Sequence, residues 1–353
     1  PIVMGISFTF LNSAIFVGTT YGYATIIGCV LIGGIIEGIL GLFAKYWIKL
    51  ISPIVAATVV TAIGFSLLTV GANSFAGGQG AENYGVWQNW VIGSVTLLCC
   101  ICFQIFTKGY LKVISVLFGL VVGYILSICL GVVDFSALQN TKIVSVPAFL
   151  PFKPEFNIGA ILSFVVIYLV SATETIGDTT ALASSALDRN VTDKELAGSI
   201  ACDGFVSSIG GLFGCTPITS FSQNVGLVAM TKVVNRFTIG TGAIILIVAG
   251  IFPVFGALLT TVPQAVLGGC TIMMFGTIVV AGFQMLGKCG YTQRNTTIAA
   301  LSLSVGLGFT QCSDMFKIFP QIVQSVFAQN CVSVVFVLSV ILNLVLPKDK
   351  DEE

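Results

Sequence analysis

The sequence predicts an all-α integral membrane protein of about a dozen crossings, and three observations predict it. Of the 353 residues, 56% are hydrophobic and 8% are charged, whereas an ordinary soluble domain carries about 25% charged residues. Such a chain cannot cover its surface with polar groups. Mainly apolar stretches of about 20 residues, the length of a span, recur from end to end. The basic residues, finally, fall in every second break between those stretches.

In chain order, the first crossing, 2–18, is short and starts on polar, strand-favouring residues, Gly5 to Phe10, before an apolar run. The Gly-rich stretch 22–44 follows, then 53–70, led by Pro53, and 89–107, which holds Cys99, Cys100 and Cys102. Next come 110–133, 159–182 and 197–213. The eighth, 216–231, repeats the pattern of the first: Thr216-Pro217-Ile218-Thr219-Ser220-Phe221-Ser222-Gln223 precedes its apolar run. The last four are 238–258, 263–286 (led by Pro263), 296–310 and 331–347. Backbone polar groups cannot stand bare in lipid, so these stretches are helices unless protein buries the broken backbone. The two short crossings are read as half extended and half helical.

Twelve basic residues, from Lys45/Lys49 to Lys348/Lys350, lie in alternate breaks, and only Lys142, Lys153 and Lys317 lie in the others. The positive-inside rule puts the first set, and the acidic tail Asp349 to Glu353, in the cytoplasm. The protein is therefore expected to be multi-pass in the cell membrane, with a cytoplasmic C-terminus. A formal net charge of zero offers no basic face for nucleic acid. There is no histidine, and the 11 cysteines show no zinc-type spacing; mostly inside apolar stretches, they read as small buried side chains. The chain opens at Pro1 without an initiator Met, so further N-terminal residues, and one or more helices with them, are expected.

Each interrupted crossing is followed at comparable distance by a Pro-led span, Pro53 to Gly64 and Pro263 to Gly276, so the halves read as repeats. Interrupted segments in corresponding positions of inverted repeats point to a transporter's binding site. Glu37, Glu174, Asp178 and Asp203 lie within the predicted spans, whereas of the Lys and Arg residues only Lys112 does, at the very start of its span. A charge at the bilayer centre costs at least ~2.5–3.5 kcal/mol, so such residues face cavities and mark ion, proton or substrate paths. Glu174 and Asp178, four apart, share a helix face where two anions repel. One proton held between them relieves that, and such a pair can take up and release a proton as a site opens to either side.

Four motifs carry a family resemblance. Gln223-Asn224-Val225-Gly226, followed after four residues by Thr231-Lys232, resembles the signature of the nucleobase–ascorbate transporters, the nucleobase–cation symport family. Glu174-Thr175-Ile176-Gly177-Asp178-Thr179-Thr180 resembles its Glu-x-x-Gly-Asp-x-Thr motif, Gly5 to Phe10 its Gly-x-Ser-Phe-x-Phe segment, and Pro263 to Gly269 its Pro-x-x-Val-Leu-Gly-Gly run. The resemblance covers Pro1 to Pro347 and is closest to the xanthine and uric acid permeases. It implies a seven-plus-seven inverted repeat, of which about 12 of 14 spans are present here. The two absent spans include a first helix with a Gln-His pair near substrate. It further implies a core domain in two parts, 1–47 and 135–258, a gate domain in two parts, 48–134 and 259–347, a tail at 348–353, and a homodimer.

By the same resemblance Glu174 accepts hydrogen bonds from substrate ring N–H groups and Gln223 is a second base-reading residue. Phe8 and Phe221 stack on or enclose the base, main-chain groups of Phe8 and Ser222 complete its hydrogen bonding, and Asn224 shapes the site. Asp178 and Asp203 match positions linked to proton coupling, with no cofactor beyond the proton. The expected activity is proton-coupled import of a nucleobase, an oxopurine such as xanthine or uric acid. Gln223 favours that over a uracil-type carrier, where the family tends to have Glu. Two readings from other classes stand beside it: an intramembrane aspartyl protease using Asp178 and Asp203, and an anion carrier or channel on the same architecture. The first lacks a Gly-x-Gly-Asp element, and the second has no need of Glu174.

Overall fold

The chain forms helix wherever it is continuously apolar. The structure, a computed structural model, describes all residues except 1, 49–50, 140, 222–223, 225–227, 229–230, 321–322, 329 and 348–353, and leaves undescribed the side chains of 110, 113, 137, 185, 313 and 325. It begins with strand β1 (Met4–Ile6), a 3-10 turn (Phe8–Phe10) and helix α1 (Leu11–Tyr21). Gly22, at φ +92°, takes a left-handed conformation open to glycine and turns the chain into α2 (Tyr23–Leu42). Then follow α3 (Pro53–Phe75), α4 (Trp87–Phe106), α5 (Ser115–Cys129), α6 (Ile158–Ala186) and α7 (Asp193–Leu212). After β2 (Ile218–Ser220) come α8 (Arg236–Ile251), α9 (Pro253–Thr260), α10 (Gln264–Cys289), α11 (Gln293–Gln311) and α12 (Cys331–Val345).

The first crossing is half extended and half helical, as the sequence predicts; in the eighth the strand is present, and most of the expected helix lies outside the described residues. The expected span 238–258 is instead two helices, α8 and α9, bent by 83°. Pro253 is the cause: it has no N–H to donate and crowds the preceding residue out of helical geometry, so Phe252 sits at φ −104°, ψ 92°. Among the described residues five helices are long and apolar enough to cross a membrane by themselves, or six counting the bent pair. The other predicted crossings fall short for physical reasons. Helices α5 and α12 have 15 residues each, about 22 Å of rise against ~30 Å of hydrocarbon, and α7 and α11 carry polar residues along their length.

Two compact units divide the chain: Pro1–Ile63, Ala148–Ile239 and Ala281–Glu353 form one, and Gly64–Pro147 with Gly240–Val280 the other. In the second unit, Ile92, Val262, Ala265 and Val266 form a core with Leu120 and Tyr124 around it. The Asn89 amide donates to the carbonyls of Ala76 (2.9 Å) and Asn83 (2.7 Å), pinning the loop before α4. Ile244, Ile245, Leu246 and Ile247 of α8 are 62–68% exposed on consecutive positions, so the helix is apolar on all sides, which suits lipid and not water.

In the first unit, α2 and α7 meet backbone to backbone. A Cβ on Gly34 would lie 2.6 Å from the Gly204 carbonyl oxygen, and one on Gly204 would strike the backbone of Gly34 and Gly38. Small residues at such a crossing give membrane helices the close packing that replaces hydrophobic drive. Alongside, Phe10 packs edge-on to Tyr168 of α6, with centroids 4.6 Å apart, in a cluster with Phe164, Val17 and Val30. Caps close the helix ends: Asn157 accepts from the Ala160 N–H, and Thr192 and Glu195 form a reciprocal capping box on α7.

Candidate functional site

The two interrupted segments find each other. β1 and β2 pair antiparallel, Met4 opposite Ser220, Gly5 opposite Thr219 and Ile6 opposite Ile218. The ladder extends at both ends, where the Ser7 N–H donates to the Pro217 carbonyl and the Phe221 N–H to the Val3 carbonyl, each at 3.0 Å. The Phe221 ring lies over Gly5, where a Cβ would come within 2.5 Å of it; only glycine leaves room for the ring. Extended backbone at membrane depth is tolerated where its groups are paired and buried in protein; here the ladder supplies the pairing, and Thr219 and Ser220 of β2 are buried.

Helix α6 presents Ser171, Glu174, Thr175 and Asp178, at i, i+3, i+4 and i+7, to that strand pair. The Thr9 hydroxyl donates to Glu174 Oε2 at 2.8 Å, and the Ser220 hydroxyl to Asp178 Oδ2 at 2.7 Å. Ser171 donates to the Thr219 hydroxyl at 3.1 Å. Thr175 donates to Asp203 Oδ2 and touches the hydroxyls of Thr219 (3.3 Å) and Ser220 (3.4 Å). Ser207 of α7 binds both main-chain groups of Ile218, accepting from its N–H at 3.0 Å and donating to its carbonyl at 3.3 Å. Hydroxyls from six positions thus tie three carboxylates to β2 and to the turn after β1.

The carboxylates differ in access. Asp203 and Glu37 are fully buried and Asp178 is 7% exposed, whereas Glu174 is only half-buried. Among the described residues no hydrogen bond reaches Glu174 Oε1, so that oxygen can accept from a ligand. Phe8, next to Thr9 in the chain, and Phe221, next to Ser220, are half-buried as well. Asn224 follows Phe221 by one turn, its N–H donating to the Phe221 carbonyl at 3.0 Å. Ser222 and Gln223 lie outside the described residues. The sequence reading therefore placed Glu174, Asp178, Asp203, Phe8, Phe221 and Asn224 in one region, and missed Thr9, Ser171, Thr175, Thr219 and Ser220. Their only signal is hydroxyl spacing, three and four residues apart on α6 and clustered on β2.

Known proteins resemble the chain along nearly its whole length. Residues 1–315 match the family model Xan_ur_permease, the permease family. A candidate purine permease of Clostridium perfringens is 37% identical over 344 residues, 98% of this chain and 76% of that one. The xanthine permease of Bacillus subtilis is 32% identical over 347 residues, 98% of this chain and 79% of that one. Among solved structures, the transmembrane domain of a cyanobacterial bicarbonate transporter, BicA, superposes with a TM-score of 0.61 at 16% identity, covering 97% of this chain and 84% of that domain. At that identity the likeness is one of fold alone.

Proposed function

Because the chain belongs to the permease family, the nucleobase–ascorbate transporters, we propose that it imports an oxopurine, xanthine or uric acid, across the cell membrane together with a proton. It is a transporter and not an enzyme, so the protease reading of Asp178 and Asp203 falls. The observation that carries the proposal is the open oxygen of Glu174. Of the four intramembrane carboxylates it alone is half-buried and not fully buried, and it is held by Thr9, the chain neighbour of the half-buried Phe8. A carboxylate accepts from ring N–H groups and an aromatic face stacks on a planar base. In this reading Gln223 supplies donor and acceptor to the base edge, Ser222 and Phe8 add main-chain groups, and Asn224 shapes the site. Asp178 and Asp203 handle the proton, the only coupling species invoked.

The deciding experiment is uptake of radiolabelled xanthine by the full-length protein, with and without a proton uncoupler and with Glu174→Gln as control; uptake indifferent to both refutes the proposal. Gln223→Glu tests the substrate class, since it should shift competition from xanthine and urate towards uracil. We extend the reading to the core and gate segments named above, a cytoplasmic C-terminus and a homodimer. Native mass spectrometry of the detergent-solubilised protein checks the dimer.

A further inference from the structure

Glu37 has no part in the site so far, and its surroundings are unusual. It lies on α2 between Gly34 and Gly38, is 0% exposed, and neither carboxylate oxygen has a hydrogen-bond partner among the described residues. A buried carboxylate without a donor is normally neutral, because a bare charge would face the full cost of desolvation. The group acting on it across the α2–α7 crossing is another carboxylate, Asp203. Asp203 is also 0% exposed; its Oδ2 accepts from Thr175, and its Oδ1 has no partner among the described residues. The two unpartnered acceptors thus flank a contact so close that glycine backbones touch, Gly34 and Gly38 against Gly204.

The other ionisable groups here bring no positive charge. From α6, Tyr168 faces Glu37 and Asp203, and Asp178 and Glu174 act on Asp203; Cys29 on α2 and Cys202 on α7 complete the set. Two anions cannot be held in such a place without a cation, and one proton between them supplies what the contact lacks: a donor for one carboxylate and a single shared charge.

We propose that Glu37 and Asp203 share one proton and form the site at which the coupling proton is held. The inference rests on the transport reading above and adds to it a residue outside the four motifs. The pair is connected to the substrate region by contact: Asp203 reaches Thr175, Thr175 touches Thr219 and Ser220 on β2, and Ser220 donates to Asp178. A shift of β2 as a base enters or leaves changes the neighbours of Thr175, the hydroxyl that donates to Asp203, and through it the hold on the proton. Glu37 is the positioning partner in this scheme. It touches no substrate and acts through Asp203.

The test uses the full-length protein in proteoliposomes, comparing wild type with Glu37→Gln, which keeps shape and removes the titrating group. Xanthine counterflow at equal pH on both sides needs no net proton movement and should be retained by the variant. Accumulation driven by an inward proton gradient should fall to the level reached without a gradient, and xanthine-dependent proton uptake, read by a trapped pH dye, should be lost. A variant whose gradient-driven accumulation and proton uptake equal those of wild type overturns the inference. Wild type without xanthine counterflow overturns the function proposed above, and the coupling role with it.

Should Glu37→Gln not fold, infrared spectroscopy decides on a folded protein. In Glu174→Gln with carboxyl-labelled glutamate, Glu37 is the remaining glutamate within the spans of this sequence, and a label-shifted band of protonated carboxyl at neutral pH, absent from Glu174→Gln/Glu37→Asp, is expected. Its absence from Glu174→Gln overturns the proposal.

Discussion

Replacing Thr9 with Val keeps the shape of a 5% exposed side chain and removes the hydroxyl that reaches Glu174 Oε2 at 2.8 Å. A hydrogen bond to a charged acceptor contributes about 1.5–3 kcal/mol net. Loss of that hold lets the carboxylate turn away from the position in which Oε1 meets a ligand. Expressed wholly in binding, at 1.4 kcal/mol per tenfold, it weakens xanthine affinity roughly ten- to hundredfold. In the Glu174→Gln background the same hydroxyl meets a neutral amide, where a bond contributes only about 0.5–1.5 kcal/mol. Thr9→Val should therefore cost clearly less there, with an interaction energy of about 1 kcal/mol or more in the double-mutant cycle. The assay is equilibrium binding of radiolabelled xanthine to purified protein, wild type, both single variants and the double. Equal costs of Thr9→Val in both backgrounds, or none in either, would refute the claim that Thr9 acts by holding Glu174.

Other consequences concern the frame around the site. Gly204→Ala forces α2 and α7 apart, since its Cβ would fall 2.8 Å from the Glu37 carbonyl carbon and on the backbone of Gly34 and Gly38; overpacking of this kind costs about 1–3 kcal/mol. Gly198→Ala on the same helix meets nothing within 4 Å and should be neutral or stabilising by up to ~1 kcal/mol. Thermal melting in detergent separates the two, and equal midpoints would contradict the close crossing. Asn330 is 1% exposed, caps α12 through the Val332 N–H (2.9 Å) and donates to Ser13 of α1 (3.0 Å). Asn330→Ala should cost about 1 kcal/mol for the cap and about 1–3 kcal/mol more for the stranded hydroxyl, the latter disappearing in a Ser13→Ala background.

A pH effect belongs to the same group. Arg189, first, and then the Thr192 main chain and hydroxyl hold the Glu195 carboxyl well below the usual carboxylate range. A depressed folded-state value means stability that is complete above the unfolded value, about 4.3, and lost as pH falls towards the folded one. The difference in melting midpoint between wild type and Glu195→Gln should be constant at neutral pH and shrink below about pH 4. A difference that grows on acidification would contradict the assignment.

The helices were legible because lipid leaves the backbone no alternative, and the interrupted crossings because Gly5, Pro217 and the Thr and Ser residues around them break the apolar run. The bend at Phe252 carried its signal in Pro253, yet an average of hydropathy over some twenty residues passes over a single proline. The pairing of β1 with β2 was not readable, since nothing local states which strand an extended segment will meet. For the same reason the hydroxyls were missed. Ser and Thr are common along membrane helices, and only the register of β1 and β2 against α6 distinguishes Thr175, which joins Asp203 to β2, from Thr173, which bonds its own helix at Leu169. Glu37 and Asp203 each read as solitary carboxylates; glycines on both helices make them neighbours.

That dependence of chemistry on contact bears on how substrate and proton are linked. The acceptors proposed to hold the base and the proton, Glu174, Asp178 and Asp203, stand on two helices, while the donor Thr9 stands on the turn after β1, the donor Ser220 on β2, and Thr175 on α6 facing β2. A shift of β2 acts on two carboxylates together, because Ser220 holds Asp178 and also touches Thr175, the donor to Asp203. Such a shift alters which carboxylate is best able to carry a charge. In the proposed reading, a base held at Glu174 therefore acts on the proton without touching it. Severing the Thr175 hydroxyl alone, by Thr175→Val, should leave xanthine binding in place while weakening the response of uptake to a proton gradient. If binding and gradient response instead fall in equal proportion, the hydroxyl bridge is a structural tie and the linkage runs elsewhere.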